Sequence, residues 1–99
     1  MIRHIVLWRL KGDSPGEKAK LAGEIKSALE SLNGKIPGML FLQVGFDFSR
    51  TPDSSDIALY SEFESREALD AYQKHPEHVK IMPFVSASRI ERRAVDFEN

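Results

Sequence analysis

The 99-residue chain contains no cysteine. This absence excludes a disulfide framework, thiolate catalysis and any metal site built from thiolates. The chain also has almost no net charge, because fourteen Lys and Arg residues face fifteen Asp and Glu residues. Neither a basic stripe nor an acidic tail is present, so the sequence gives no indication of a nucleic-acid partner or of a strongly basic protein partner.

Long apolar runs are missing as well. Residues Met1–Leu7 have the pattern of a strand, without the apolar core of a signal peptide or of a membrane span. We expect a single cytoplasmic domain over residues 1–99 that has no membrane partner. A chain of this length buries only about 60–70% of its unfolded surface, so a second subunit would add to its stability.

Strand periodicity is clearest at the N-terminus. Over residues 2–11 one face of the predicted strand carries Ile2, His4, Val6, Trp8 and Leu10, and the other carries Arg3, Ile5, Leu7, Arg9 and Lys11. Such alternation is typical of a strand with one face toward a core. A second alternating strand is predicted over Asp56–Phe63, with Ile57 and Leu59 on its core face.

Helix signals separate the strands. Ser14-Pro15-Gly16-Glu17 is a capping box that starts a helix ending at Asn33-Gly34. Ser65 is the predicted N-cap of a second helix. Pro76 interrupts that helix and begins a short third one, which Pro83 is expected to end. Strands over Met39–Phe48 and 88–97 complete the pattern.

The order βαββαβ predicts an α+β ferredoxin-like plait, with a four-stranded antiparallel sheet and helices on one face. The opposite face keeps apolar residues (Ile5, Leu7, Ala58, Tyr60 and members of the Leu40–Phe48 run). Soluble monomers seldom leave such a patch uncovered. We therefore predict a homodimer in which two sheets meet as an α/β barrel; the alternative is a face kept wet by charged strand ends.

The segment Tyr72–His78 holds two of the three histidines and one of the two tyrosines. These side chains move protons near neutral pH. Tyr72 and His78 could act as a pair, the imidazole removing a proton next to a carbonyl while the phenol hydrogen-bonds the forming enolate. The alternative is that both are packing residues.

Other polar residues allow two interpretations each. His75 and His78 with His4 could hold zinc, but Pro76 interrupts the helical spacing, so we expect neither a metal nor a cofactor. His75 caps the third helix or contributes to a ligand site. The three arginines of the last strand form a charged edge or, alternatively, a clamp for a ligand carboxylate (Arg89, Arg92 and Arg93).

Four segments together resemble the stress-responsive dimeric A/B barrel family, in the same order along the chain: Met1–Trp8, Phe63–Ser65, Tyr72–Val79 and Val95–Phe97. The resemblance implies a dimeric α+β barrel with a small cavity between sheet and helices. A characterised plant cyclase of this family condenses a linear polyketide without metal or cofactor. The resemblance to it implies catalytic roles for Tyr72 and His78 and a pocket position for His4.

That cyclase has a further pocket histidine in its third strand, and the matching residue here is Ile57. The change removes a polar group from the predicted pocket and argues against the same substrate. We expect a small apolar or carbonyl ligand in a cavity that also contacts the core side of the sheet and the helix break (Val6, Trp8, Ile57, Leu59 and His75). The chemistry would be a cofactor-free cyclisation or isomerisation.

Two other functions remain open. A non-catalytic stress-responsive interaction module would use the dimer itself and leave the histidines to pack. A barrel monooxygenase has a similar architecture, but the sequence marks of those enzymes are not recognisable here. A closed apolar pocket in which Tyr72 and His78 converge would favour the ligand-binding interpretation, and a filled core would favour the interaction module.

Overall fold

The computed structural model describes all 99 residues. Its elements run β1 (Ile2–Leu10), α1 (Pro15–Glu30), β2 (Met39–Phe46), β3 (Ile57–Phe63), α2 (Arg66–Lys74), α3 (Pro76–Ser88) and β4 (Arg89–Glu98). The strands form one antiparallel sheet in the order β2-β3-β1-β4. The predicted ferredoxin-like α+β fold is confirmed.

The alternation in β1 decides which face of the sheet is buried. Ile2, His4, Val6, Trp8 and Leu10 are all buried beneath the helices. The four apolar ones join one core of seventeen apolar residues that also includes the core faces of β2 and β3 and the inner sides of the helices. At ~25 cal/mol per Å² of apolar surface, burial of this face supplies the main stabilisation. None of the three helices combines the length and the apolar composition that a bilayer span requires.

The predicted helix starts are found where the capping residues place them. Ser14 Oγ accepts the Glu17 N–H at 3.2 Å, and the Glu17 carboxylate accepts the Asp13 N–H at 2.7 Å. Ser65 Oγ accepts the Ala68 N–H at 3.1 Å at the start of α2. Each cap satisfies a backbone donor that the first helical turn would otherwise leave free.

Gly38 lets α2 lie close against the sheet. Its φ is +79°, and a Cβ added there would come within 2.6 Å of the Ala68 Cβ. The Gly38 carbonyl accepts the Glu64 N–H at 2.9 Å just before α2 begins. A larger residue at position 38 would therefore strain the backbone and push α2, which carries Tyr72, away from the sheet.

The sequence predicted that Pro83 ends the third helix, and this prediction is wrong. Pro83 lies inside α3, which continues to Ser88. The missing N–H costs the hydrogen bond to the carbonyl of Val79, one turn earlier. Val79 is an exposed position, where water can satisfy that carbonyl. The strand and helix ends otherwise differ from the predictions by one to three residues, as frayed ends do.

The face of the sheet opposite the helices is uncovered within one chain. Leu7, Phe41, Val95 and Phe97 are each about 40–50% exposed there. The rings of Phe41 and Tyr60 lie 6.0 Å apart across β2 and β3. We call this surface, formed by the outward residues of all four strands, the open face. Its apolar character agrees with the prediction from sequence.

Candidate functional site

The break between α2 and α3 brings Tyr72 and His78 together. His75 has the extended backbone (φ −65°, ψ 137°) that a residue before proline prefers, and α3 starts in a new direction at Pro76. Tyr72 lies in the last turns of α2 and His78 in the first turn of α3. Their ring centroids are 4.4 Å apart, a distance at which one small molecule can contact both side chains.

A small cavity lies beside this pair, between the helices and the sheet. Its volume is about 60 Å³, and its lining combines the core faces of β1 and β3, the break between the helices and two arginines of β4 (His4, Val6, Trp8, Leu29, Leu59, Tyr72, Gln73, His78, Met82, Arg89 and Arg92). Cavities for drug-sized ligands span roughly 300–1,000 Å³. This cavity therefore fits the reacting end of a small molecule rather than a whole larger ligand.

Two buried donors of the cavity have no partner in the protein. The Tyr72 hydroxyl and the Trp8 Nε1 are buried and make no hydrogen bond, although both side chains line the cavity. An unsatisfied buried polar group costs about 1–3 kcal/mol, so native proteins rarely keep two at one place without use. An oxygen-bearing ligand would satisfy them.

His78 has the properties of a general base. Its Nδ1 lies 3.2 Å from the Gln73 carbonyl oxygen, which can only accept, so Nδ1 carries the proton and Nε2 keeps its lone pair. Burial lowers the pKa of His78 below its ordinary value, and nearby His4 lowers it further, whereas the bond to Gln73 opposes both. The imidazole is therefore neutral at pH 7.

Burial raises the pKa of Tyr72 far above its ordinary value. Its hydroxyl therefore stays protonated over the whole physiological range. A protonated phenol next to a neutral imidazole is the arrangement in which one group donates a hydrogen bond while the other accepts a proton.

His4 is held in place by Asp96, which faces it across β1 and β4. The His4 Nδ1 donates to the Asp96 carboxylate, because carboxylate oxygens only accept when ionised. The ring of His4 lies edge-on to that of Tyr72, with centroids 6.3 Å apart. A carboxylate on Nδ1 fixes both the tautomer and the orientation of an imidazole, which leaves Nε2 for other contacts.

Six of the eight residues predicted from sequence come together at the cavity, and two do not. Ile57 is buried in the core opposite Trp8 and Phe46, outside the cavity. It fails to line the cavity because it lies at the end of β3 farther from α2. His75 caps α3 instead, its Nδ1 accepting the Glu77 N–H at 3.1 Å.

Sequence reasoning missed several residues of the site. Asp96, Gln73 and Met82 had no signal of their own. Arg89 and Arg92 belonged to the charged strand edge that was expected, with a carboxylate clamp as the alternative; the structure places both at the cavity. Arg93 points to the opposite face of β4 and pairs with Glu91 at 3.7 Å.

A larger groove of about 620 Å³ lies elsewhere, between the start of α1 and the loop from β2 to β3. Two of its charged side chains already have partners. Arg9 donates to the Pro52 carbonyl at 2.6 Å, and Lys18 Nζ lies 3.7 Å from the Asp56 carboxylate. Only three of its fifteen lining residues are apolar, so it lacks the dry surroundings of the smaller cavity. Its one buried atom without a hydrogen bond, Arg9 Nε, lies 3.6 Å from the Glu91 carboxylate.

No group of three or more His, Asp or Glu side chains converges as metal ligands would.

We predict that the purified, dialysed protein contains far less than one equivalent of zinc or iron by elemental analysis. His75→Ala should remove a helix cap only, lowering the free energy of unfolding by about 1 kcal/mol in urea titrations. Stoichiometric metal that disappears in His75→Ala would contradict both expectations.

A four-stranded antiparallel sheet, helices on one face and a polar-ended cavity beneath them define a ferredoxin-like protein of the A/B barrel class. The chain belongs to the stress-responsive A/B barrel domain family, whose model matches residues 2–99. The family resemblance noted in the sequence is thereby confirmed.

Relatives and solved structures support this assignment. An uncharacterised protein of Streptomyces coelicolor is 35% identical over 79 residues, which are 79% of each chain. The Arabidopsis thaliana stress-response A/B barrel domain-containing protein DABB1 is 29% identical over 98% of the chain, which spans 46% of that protein. A dimeric protein of unknown function from Bacteroides fragilis has a TM-score of 0.87 and 34% identity, covering 99% of this chain and 95% of its own.

More distant structures share the fold alone. A hydroxynitrile lyase from Passiflora edulis (TM-score 0.79) and an antibiotic biosynthesis monooxygenase (TM-score 0.76) are each 18% identical to this chain. They show that the same architecture carries different chemistries, so function has to be argued from the residues of the site.

Proposed function

We propose that this protein binds a small carbonyl compound in the cavity and catalyses proton transfer at the carbon next to the carbonyl, without a cofactor. The observation that carries the proposal is the pair formed by Tyr72 and His78. One is a buried hydroxyl that has no partner, and the other is a neutral imidazole with its ring 4.4 Å away.

The proposed reaction starts when the carbonyl oxygen accepts a hydrogen bond from the Tyr72 hydroxyl. His78 Nε2 then takes a proton from the adjacent carbon, and the electron pair of the C–H bond moves into an enolate whose oxygen Tyr72 stabilises. The imidazolium returns the proton to another carbon in an isomerisation. In an aldol cyclisation the enolate carbon attacks a second carbonyl, and the resulting alkoxide receives the proton.

We also propose that the working form is a homodimer joined through the open face. This surface exposes Leu7, Phe41, Val95 and Phe97, and the 34% identical Bacteroides fragilis protein is described as dimeric. A symmetric contact between two copies would cover the patch on both chains at once.

The function is tested by following deuterium exchange at the carbons next to the carbonyls of levulinate and hexane-2,5-dione in deuterium oxide. Proton NMR should show loss of those signals faster with protein than with buffer. The proposal would be excluded if the exchange rate with the protein equalled the rate in buffer, or the rate with a double variant that lacks the Tyr72 and His78 side chains. Either result would favour a non-catalytic interaction module.

The pH dependence of this exchange should be one-sided. Because the pKa of His78 is lowered from its ordinary value of 6.5, the base is mainly neutral above pH 6.5. Tyr72, with its raised pKa, keeps its proton on the alkaline side. We expect a catalysed rate that is constant from about pH 7 to 9 and falls about tenfold per unit once pH drops below the His78 pKa. An optimum near pH 5, or a decline between about pH 7 and 9, would contradict these roles.

A further inference from the structure

Two arginines reach the cavity without a carboxylate partner. Arg3, Arg9, Arg66 and Arg93 each form an ion pair with a glutamate. Arg89 and Arg92 form no ion pair, although both line the cavity. The acidic residue that follows them on the same side of β4, Asp96, is already bound to His4. The cavity therefore has positive charge at one end that nothing in the protein neutralises.

Arg92 is placed next to one of the two unpartnered donors. In the register of the sheet it lies directly opposite Trp8, where Cβ atoms of paired residues are about 4.5–5.5 Å apart. Trp8 is 97% buried, since its exposed fraction is 3%, and its Nε1 makes no hydrogen bond. A guanidinium and an indole N–H on neighbouring strands can therefore donate to the same anionic group.

Arg92 is exposed whereas Trp8 and Tyr72 are buried, so the polar groups follow one another from the mouth of the cavity to its interior. A guanidinium presents two parallel N–H groups, which match the planar oxygens of a carboxylate. The narrow cavity, about 60 Å³, accepts a carbonyl end more readily than a bulky group.

From this arrangement we infer that the ligand is a small oxo acid, whose carboxylate binds Arg92 at the mouth and the Trp8 Nε1 just below it while its carbonyl reaches Tyr72. Arg89, half-buried at the start of β4, adds positive charge from the adjacent position. The inference deepens the proposed function by naming its substrate class, and it rests on that function for the role of Tyr72.

The test compares two probes of similar size in amide-resolved NMR titrations of the intact protein. Levulinate carries a carboxylate at one end and a methyl ketone at the other, and hexane-2,5-dione carries a neutral ketone in place of the carboxylate. We expect levulinate to bind more tightly, with shifts at Trp8 Nε1 and Arg92. Arg92→Gln should weaken levulinate binding by about tenfold, because it removes one exposed charge-assisted contact. The affinity for hexane-2,5-dione should not change.

Arg66→Gln is the matched control, because it removes the same charge from the exposed start of α2, away from the cavity. It should leave the affinity for levulinate unchanged. Arg92→Lys should bind levulinate more tightly than Arg92→Gln but more weakly than the wild type, since an ammonium lacks the two parallel N–H groups of a guanidinium. Thermal unfolding of each variant verifies that the fold is intact.

Equal affinities for the two probes, an equal effect of Arg66→Gln, or absence of levulinate binding would overturn the inference. The readout here is binding, whereas the proposed function is read from deuterium exchange. Levulinate binding that depends on Arg92 without exchange would refute catalysis and keep the anion site. Deuterium exchange that depends on Tyr72 but not on Arg92 would support catalysis and refute the anion site.

Discussion

Tyr72→Phe is expected to lower the rate of deuterium exchange by about a hundredfold or more while the protein stays folded. The substitution removes one oxygen atom whose hydrogen bond is made only by the ligand, because the hydroxyl has no partner in the free protein. Loss of a positioned acid or base typically costs ~10²–10⁴-fold in rate. Since Phe fills the same space, the free energy of unfolding should not fall; removal of an unsatisfied buried hydroxyl can raise it.

Tyr60→Phe is the control, because Tyr60 is the other tyrosine of the chain and lies on the open face with Arg3 and Glu62. It should leave the exchange rate unchanged. His78→Gln should reduce the rate by at least as much as Tyr72→Phe, and it should also abolish the fall in rate at acid pH. A Tyr72→Phe protein that exchanges at the wild-type rate would remove the proposed mechanism.

Ile5→Glu should convert the dimer into monomers. Ile5 lies on the inner strand β1 and faces Tyr60 on one side and Val95 on the other, so it is central to the open face. Two copies of an uncompensated charge in such an interface cost several kcal/mol. Light scattering at micromolar concentration should show about twice 11.2 kDa for the wild type and the single-chain mass for the variant.

Val79→Glu is the matched control for this experiment. Val79 is an exposed apolar residue on α3, on the helix side of the molecule. The same change there should leave the dimer intact. A monomeric wild type would contradict the proposed homodimer. A dimer insensitive to Ile5→Glu but broken by Val79→Glu would place the interface on the helices instead.

The fold was predictable because its determinants are local. Alternation in β1 fixes which residues face the helices, and the caps Ser14 and Ser65 fix where helices start. The same alternation places His4 on the covered face, and Pro76 forces the break that brings Tyr72 and His78 to it. Their arrangement around one cavity follows from these signals, although their chemical roles stay predictions.

The rest of the site depended on tertiary geometry. Ile57 and His4 share the core face of the sheet, but α2 covers only one end of it, and no local pattern states which end. Arg92 and Asp96 lie on a polar edge strand, where charged residues usually only face water. The sequence does not show that α3 leads directly into that strand and so brings its charges to the cavity. Pro83 was misjudged because an exposed turn tolerates a missing hydrogen bond.

The break between α2 and α3 allows Tyr72 and His78, six residues apart in the chain, to contact the same substrate. In an uninterrupted α-helix, six residues turn the chain through about 600° and advance it by about 9 Å. The two side chains would then point about 120° apart on successive turns, too far apart to share one substrate. The distance of 4.4 Å between the rings therefore exists only because His75 and Pro76 reset the helical phase between them. The pair therefore requires both the six-residue separation and the break at Pro76. Deletion or insertion of a single residue between Tyr72 and His78 would rotate the imidazole by about 100° and separate the two rings, even with both residues kept.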